Sequence, residues 1–281
     1  MTRLLDIKEY FPELIDRLKF VIKLPKAKSI NLHTNGCCRF SSLNELMKLD
    51  DQYVIGNGMY FQSHLYSSHL RDLFLEWTKP TTMAMDEKKK SFPPEKIKGK
   101  VLCVHARRGD FRYARRPMAS QANFTRYATK FILEKYLLNQ SSNQSTVILF
   151  SNDLRWMNKT FSDVFIGAES GDVNYLMATN VTPLSTIIIS RQYCDNLIIT
   201  APASTFAWFM GFMAKEGKAR VFYSEPFAKS SGNLVPDFRP SEFHLPHWIP
   251  LRIHSNLTLQ EISVNEIEPY PKKNGIAFDG D

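Results

Sequence analysis

From Val101 onward, short apolar runs alternate with longer stretches whose apolar positions recur every three or four residues. The first kind reads as buried strands, the second as helices with one apolar face. Strands are expected near 101–105, at 146–150, weakly around 164–166, at 196–200 and at 219–223. Helices are expected near 123–138, 153–161, 183–193 and 204–215. Such alternation predicts an α/β fold, a parallel sheet with helices on both faces.

The first 98 residues are less legible. Residues 7–23 carry periodic Leu, Ile and Phe and read as a helix. Residues 29–57 mix turn residues with short apolar pieces, and 58–63 look like a strand end or loop. A helix follows through Leu65, Leu70, Leu73, Phe74 and Trp77, stopped at Lys79-Pro-Thr-Thr82. Residues 86–100, rich in Lys and Pro, read as an inter-domain linker, with Lys88, Lys89 and Lys90 on a solvated loop. The chain from Ser255 is polar and reads as a loosely ordered tail. The expected organisation is 1–98, a partial N-terminal α/β region; 99–254, a Rossmann-like α/β domain; and 255–281, a tail.

Three strand ends carry the candidate chemistry. Residues 101–110, Val-Leu-Cys-Val-His-Ala-Arg-Arg-Gly-Asp, deliver His105, Arg107, Arg108 and Asp110 to one turn, with Gly109 to let the backbone bend. The second end gives Ser151, Asn152 and Asp153; the third opens a helix with Ser204, Thr205 and Phe206. In an open parallel sheet the turns beyond the carboxyl ends of the strands share one crevice, where ligands bind. Arginine suits a diphosphate there, because its fork pairs with phosphate oxygens and keeps its charge. Ser204 near a helix N-terminus would add free N–H groups. Plainer readings stand beside these. Ser204 and Ser151-Asn-Asp153 fit ordinary helix caps, and Asp110 fits an ion-pair partner for Arg107 or Arg108.

Composition narrows the class. Among 281 residues, 43% are hydrophobic and 23% charged, which excludes wholesale disorder. The formal net charge of +8 suits an anionic ligand, but the basic residues are scattered rather than gathered in the dense stripe of a nucleic-acid binder. The uncharged run 196–214 is broken by Thr200-Ala-Pro-Ala-Ser-Thr205, short of the roughly 20 apolar residues that span a bilayer. The first ten residues are charged and lack the apolar core of a secretion leader. Asn-x-Ser/Thr sequences nevertheless occur at Asn123, Asn139, Asn143, Asn158, Asn180 and Asn256. Glycosylation in a secretory lumen and simple crowding of Asn with Ser and Thr in turns both stay open. Cys37, Cys38, Cys103 and Cys194 have no zinc or redox spacing. Cys103 and Cys194 sit in apolar contexts and read as core thiols, although a lumen would permit a disulfide of unreadable connectivity. No nucleoside-triphosphatase loop, dinucleotide fingerprint, hydrolase elbow or metal-ligand spacing is present. The Arg-Gly-Asp at 108–110 emerges from a strand core and is poorly placed for adhesion.

These residues also carry a resemblance. His105-Ala-Arg-Arg-Gly-Asp-Phe111 resembles the His-x-Arg-Arg-Gly-Asp-Tyr signature of α-1,2-fucosyltransferases. Phe150-Ser-Asn-Asp153 with Trp156, Cys194-Asp195 followed by Ile198 to Trp208, and Val221-Phe-Tyr223 followed by Phe243 to Trp248 resemble later blocks of that family, in order. Gly58-Met-Tyr-Phe-Gln-Ser63 is similar to an upstream block, and the third block is like the nematode branch. The likeness spans roughly 54–251.

The resemblance implies two Rossmann-like halves and an inverting, metal-independent transfer of L-fucose from GDP-fucose to the 2-hydroxyl of a terminal galactose, in a Golgi lumen. Under it, Arg107 and Arg108 neutralise the diphosphate, Ser204, Thr205 and Phe206 hold the donor, and Asn152 and Asp153 shape the nucleotide pocket. Asp110 is the candidate base, with His105 second. No cofactor, metal or nucleic acid is implied, and any membrane attachment would lie in an anchor this sequence lacks.

Two departures are expected to matter. The family's Gly-x-Leu-Gly-Asn-Gln loop is missing upstream of the arginines, so the N-terminal half is expected to be truncated and the nucleotide-binding half complete. Leu184-Ser-Thr186 also lacks the carboxylate that relatives carry before the Cys at 194. A catalytically inactive GDP-sugar or glycan-binding homologue is therefore the alternative.

Overall fold

A computed structural model of the chain describes residues 4–18, 26–32, 40–57, 62–114, 117–138, 144–163, 172–228 and 239–267. Nine strands are present among them. β1 (Lys28–Asn31) and β2 (Val54–Asn57) form a separate parallel pair. The others, β3 (Lys100–Ala106), β4 (Ser145–Ser151), β5 (Val173–Met177), β6 (Asn196–Ile199), β7 (Arg220–Ser224), β8 (Ile249–Ile253) and β9 (Leu259–Glu261), make one sheet in the order β5-β4-β3-β6-β7-β8-β9. All its pairs are parallel except β8 with β9.

The apolar runs are continuous because both faces of the inner strands are covered. Side chains alternate across a strand, so Val101 and Cys103 of β3 enter one core, and Leu102, Val104 and Ala106 the other. Helix Ala122–Ile132, continued by a π-helical turn at Leu133–Leu137, buries Phe124, Ala128, Ile132 and Leu137 in the second core, beside Met157 of helix Leu154–Thr160. Helices Pro183–Tyr193 and Thr205–Met213 cover the opposite face with Ile187, Ile189, Trp208 and Phe212. The expected three-layer α/β sheet is therefore found.

Several elements differ from expectation. The helix expected at 7–23 is two helices, Leu4–Tyr10 and Pro12–Arg17, because Pro12 opens a new first turn. The stretch through Leu65 to Trp77 winds as two 3-10 turns before helix Arg71–Trp77. The weak strand at 164–166 lies outside the described residues, while β5 was not expected. The tail is also part of the fold: β9 pairs with β8, and Ile262 and Ile267 enter the first core. Its apolar residues are too sparse to show a period.

The proposed linker contains a helix, Thr82–Ser91, and Lys88 does not lie on a solvated loop. Ala84 and Lys88, one turn apart, are both fully buried. They pack on helix Pro183–Tyr193, which is buried from Ser185 to Arg191 because the sheet covers one side and the N-terminal helices the other. Lys88 Nζ donates to Gln192 Oε1 at 2.6 Å and to the Tyr193 hydroxyl at 2.7 Å. Burial, and secondarily the Lys89 charge, pushes the Lys88 ammonium down to about 8. An unfolded chain holds that proton until roughly 10.4. Between these values the unfolded state binds more protons, so this group makes stability rise with pH. The stability difference between wild type and Lys88→Met, from urea titrations at pH 7.5 and 10, should shift in favour of wild type at the higher pH. A difference independent of pH would refute the burial of a depressed ammonium.

Cys103 and Cys194 are not free core thiols. They form a disulfide across 91 residues of sequence, with Cα atoms 5.5 Å apart. Asp195 lies beside it and accepts from the Val101 N–H at 3.0 Å. Together they tie the first half of β3 to the residues just before β6.

Candidate nucleotide-binding site

The sheet order decides where the site is. From β3 the chain steps outward to β4 and β5, then returns to β6 on the other side of β3 and proceeds to β7 and β8. The direction reverses between β3 and β6, which is the switch point where such sheets bind ligands. Registers of His105 with Phe150 and with Ile199 bring the turns after β3, β4 and β6 into line at the carboxyl edge. The three polar strand ends therefore meet as expected.

The turn after β3 is locked by a residue that sequence reasoning missed. Ser120 is fully buried. Its Oγ accepts from the Arg107 N–H at 2.9 Å and lies 2.7 Å from the Thr200 hydroxyl. Its N–H donates to the Arg107 carbonyl at 3.1 Å, and its own carbonyl accepts from Arg108 Nη1 at 2.6 Å. Thr200 closes the link to β6, donating its N–H to the His105 carbonyl at 3.2 Å. Nothing marks Ser120 in sequence, since it lies in the irregular stretch before helix Ala122–Ile132.

The two arginines are placed differently. Arg108 is buried, 3% exposed, with its guanidinium carbon 4.6 Å from the Trp156 ring centre. Its backbone N–H donates to Asn152 Oδ1 at 2.8 Å. Arg107 is one-third exposed. Asp110 accepts from its Nε at 2.9 Å and its Nη2 at 3.1 Å, a bidentate pair. Phe111 lies 5.7 Å from the guanidinium carbon.

His105 is buried behind this turn, its ring 5.6 Å from that of Phe206. Its Nδ1 has no hydrogen-bond partner among the described residues. Burial, and to a lesser extent the Arg107 charge, pushes the ring down to about 3, so it is neutral at physiological pH.

Ser204 and Asp153 both cap helices. Ser204 Oγ accepts from the Ala207 N–H at 3.3 Å, and Asp153 Oδ1 from the Trp156 N–H at 3.0 Å. Thr205 is exposed and Phe206 half-buried on the first turn of helix Thr205–Met213, whose N-terminus opens onto the same edge. Leu184–Thr186 begins the neighbouring helix, and its Ser185 and Thr186 are buried under the N-terminal helices.

Gly109 is needed for a reason other than the one expected. Its backbone is not left-handed. A β-carbon there would stand 2.4 Å from Asn152 Nδ2, the amide that holds the Arg108 N–H. Gly109→Ala should displace that amide and cost about 1 kcal/mol, the value of one hydrogen bond. In urea titrations, adding it to Asn152→Ala should cost little more. Full additivity of the two changes would show that the clash is not relayed through Asn152.

Residues 52–238 match the family model of glycosyl transferase family 11. The chain belongs to that family. Two similar Caenorhabditis elegans proteins are each named galactoside 2-alpha-L-fucosyltransferase. One is 28% identical over 270 residues, 89% of this chain and 66% of its own length. The other is 28% identical over 228 residues, 78% of this chain and 59% of its own. The chain thus spans less than two thirds of the length of these two relatives. An apo crystal structure of POFUT1 aligns with 61% of this chain and 54% of its own at 11% identity, with a TM-score of 0.39, too low to carry an argument.

Proposed function

We propose that this family 11 chain transfers L-fucose from GDP-fucose to the 2-hydroxyl of a terminal galactose, with inversion, without a metal and in the Golgi lumen. The observation that carries the donor site is Arg107. It stands one-third exposed at the switch point, its backbone held by Ser120 and its side chain by Asp110. Asp110 occupies the Nε and Nη2 side of the guanidinium, which orients the rest of the fork toward a diphosphate. The names of the relatives supply the fucose and the galactoside.

In the reaction, the bond from the fucose anomeric carbon to the β-phosphate oxygen breaks. The galactose 2-oxygen bonds to that carbon from the opposite face, and its proton passes to a base. Charge gathers on the departing GDP, where a fixed cation stabilises it. Asp110 is the base we favour, because its carboxylate is 61% exposed while His105 is buried. The Cys103–Cys194 disulfide and the glycosylation sequences support an oxidising lumen.

Calorimetry with GDP and GDP-fucose, with and without EDTA, followed by assay on a galactose-terminated oligosaccharide, tests the reading. Binding unaffected by EDTA, with transfer to that acceptor, supports it. Absence of binding by a folded chain refutes the donor site, and binding without transfer refutes the enzyme assignment.

A further inference from the structure

Four of the six Asn-x-Ser/Thr sequences lie in described residues, and three have their hydroxyl committed elsewhere. Thr125, following Asn123, is buried and donates to the Gln121 carbonyl at 2.7 Å inside a helix. Thr160, following Asn158, is buried and donates to the Trp156 carbonyl at 2.8 Å. Thr182, following Asn180, caps helix Pro183–Tyr193 by accepting from the Ser185 N–H at 3.0 Å.

Asn256 is different. Its Oδ1 accepts from both the hydroxyl of Thr258, at 2.7 Å, and the Thr258 N–H, at 3.2 Å. Residues 254–258, the turn from β8 to β9, are all exposed, with Leu257 at φ 64°. Two hydrogen bonds onto Oδ1 draw charge toward oxygen and make the Nδ2 protons easier to lose. The Asn256 side chain is exposed on this turn, with Oδ1 turned toward Thr258.

We propose that Asn256 is an N-glycosylation site of this protein. Its Nδ2 bonds to the anomeric carbon of an oligosaccharide carried on a lipid diphosphate. The carbon–oxygen bond to the diphosphate breaks, the lipid diphosphate leaves, and an Nδ2 proton passes to the base of the transferring enzyme. β8 lies three strand spacings from β3, about 14 Å, so the attachment turn is separate from the Arg107 turn. The inference rests on the luminal location proposed above.

The test is the full chain behind a cleavable secretion leader in insect cells, so that entry to the lumen does not depend on the native sequence. Secreted protein is treated with peptide N-glycosidase in heavy-oxygen water and mapped by mass spectrometry. Labelled Asp at 256 is expected, with no label at 123, 158 or 180. Thr258→Val should abolish the label at 256, and Thr258→Ser should retain it. An unmodified Asn256 in secreted wild-type protein overturns the proposal whatever the natural compartment is. Localisation of the native gene product tests the compartment separately.

Discussion

Arg107→Ala should lower transfer from GDP-fucose by about 100-fold or more, the size of losing one preorganised charge at a developing anion. The fold should hardly notice. Arg107 is one-third exposed and its side-chain ion pair is with Asp110, itself mostly exposed, so the pair contributes roughly 0–1 kcal/mol. Arg107→Lys should recover little, because an ammonium keeps the charge but loses the fork. Arg108→Ala should behave differently. It removes a buried side chain, strips the Ser120 carbonyl of a donor and empties the space against Trp156, so unfolding should come at clearly lower urea. Thermal unfolding and GDP calorimetry on both variants separate the roles. Wild-type affinity for GDP in folded Arg107→Ala would end its assignment to the diphosphate.

The contrast between these neighbours shows what sequence could and could not give. Both arginines follow the same strand and carry the same charge, so residue type assigned them the same task. Which one turns outward depends on Ser120, Thr200 and Asn152, which converge from three separate segments. β3, β4, β6 and β7 were legible because buried parallel strands are continuous apolar runs. β5, β8 and β9 were not, since they lie toward the sheet margins, where half-exposed positions break the run. Lys88 misled because composition weighed three lysines alike, whereas helical spacing sends only one of them inward with Ala84. The meeting of the three strand ends was therefore legible, and which arginine stays exposed was not.

Removing the disulfide with Cys103→Ser and Cys194→Ser together should cost roughly 2–5 kcal/mol, the upper part of that range following from the long loop it closes. The double variant is the right comparison, because it removes this bond alone. Paired urea titrations of wild type and variant measure the loss, and the linked peptide in a non-reduced digest identifies the bond. The effect should reach the donor site. The bond joins the middle of β3 to the residues just before β6, and the carboxyl ends of the same two strands frame the switch point. Near the variant's unfolding temperature GDP affinity should fall with the folded fraction, whereas at low temperature it should match wild type, because no group that faces the diphosphate has changed. Equal stability of the two proteins, or two titratable thiols at 103 and 194 in chain folded under oxidising conditions, would refute the cross-link and with it the structural support for an oxidising compartment.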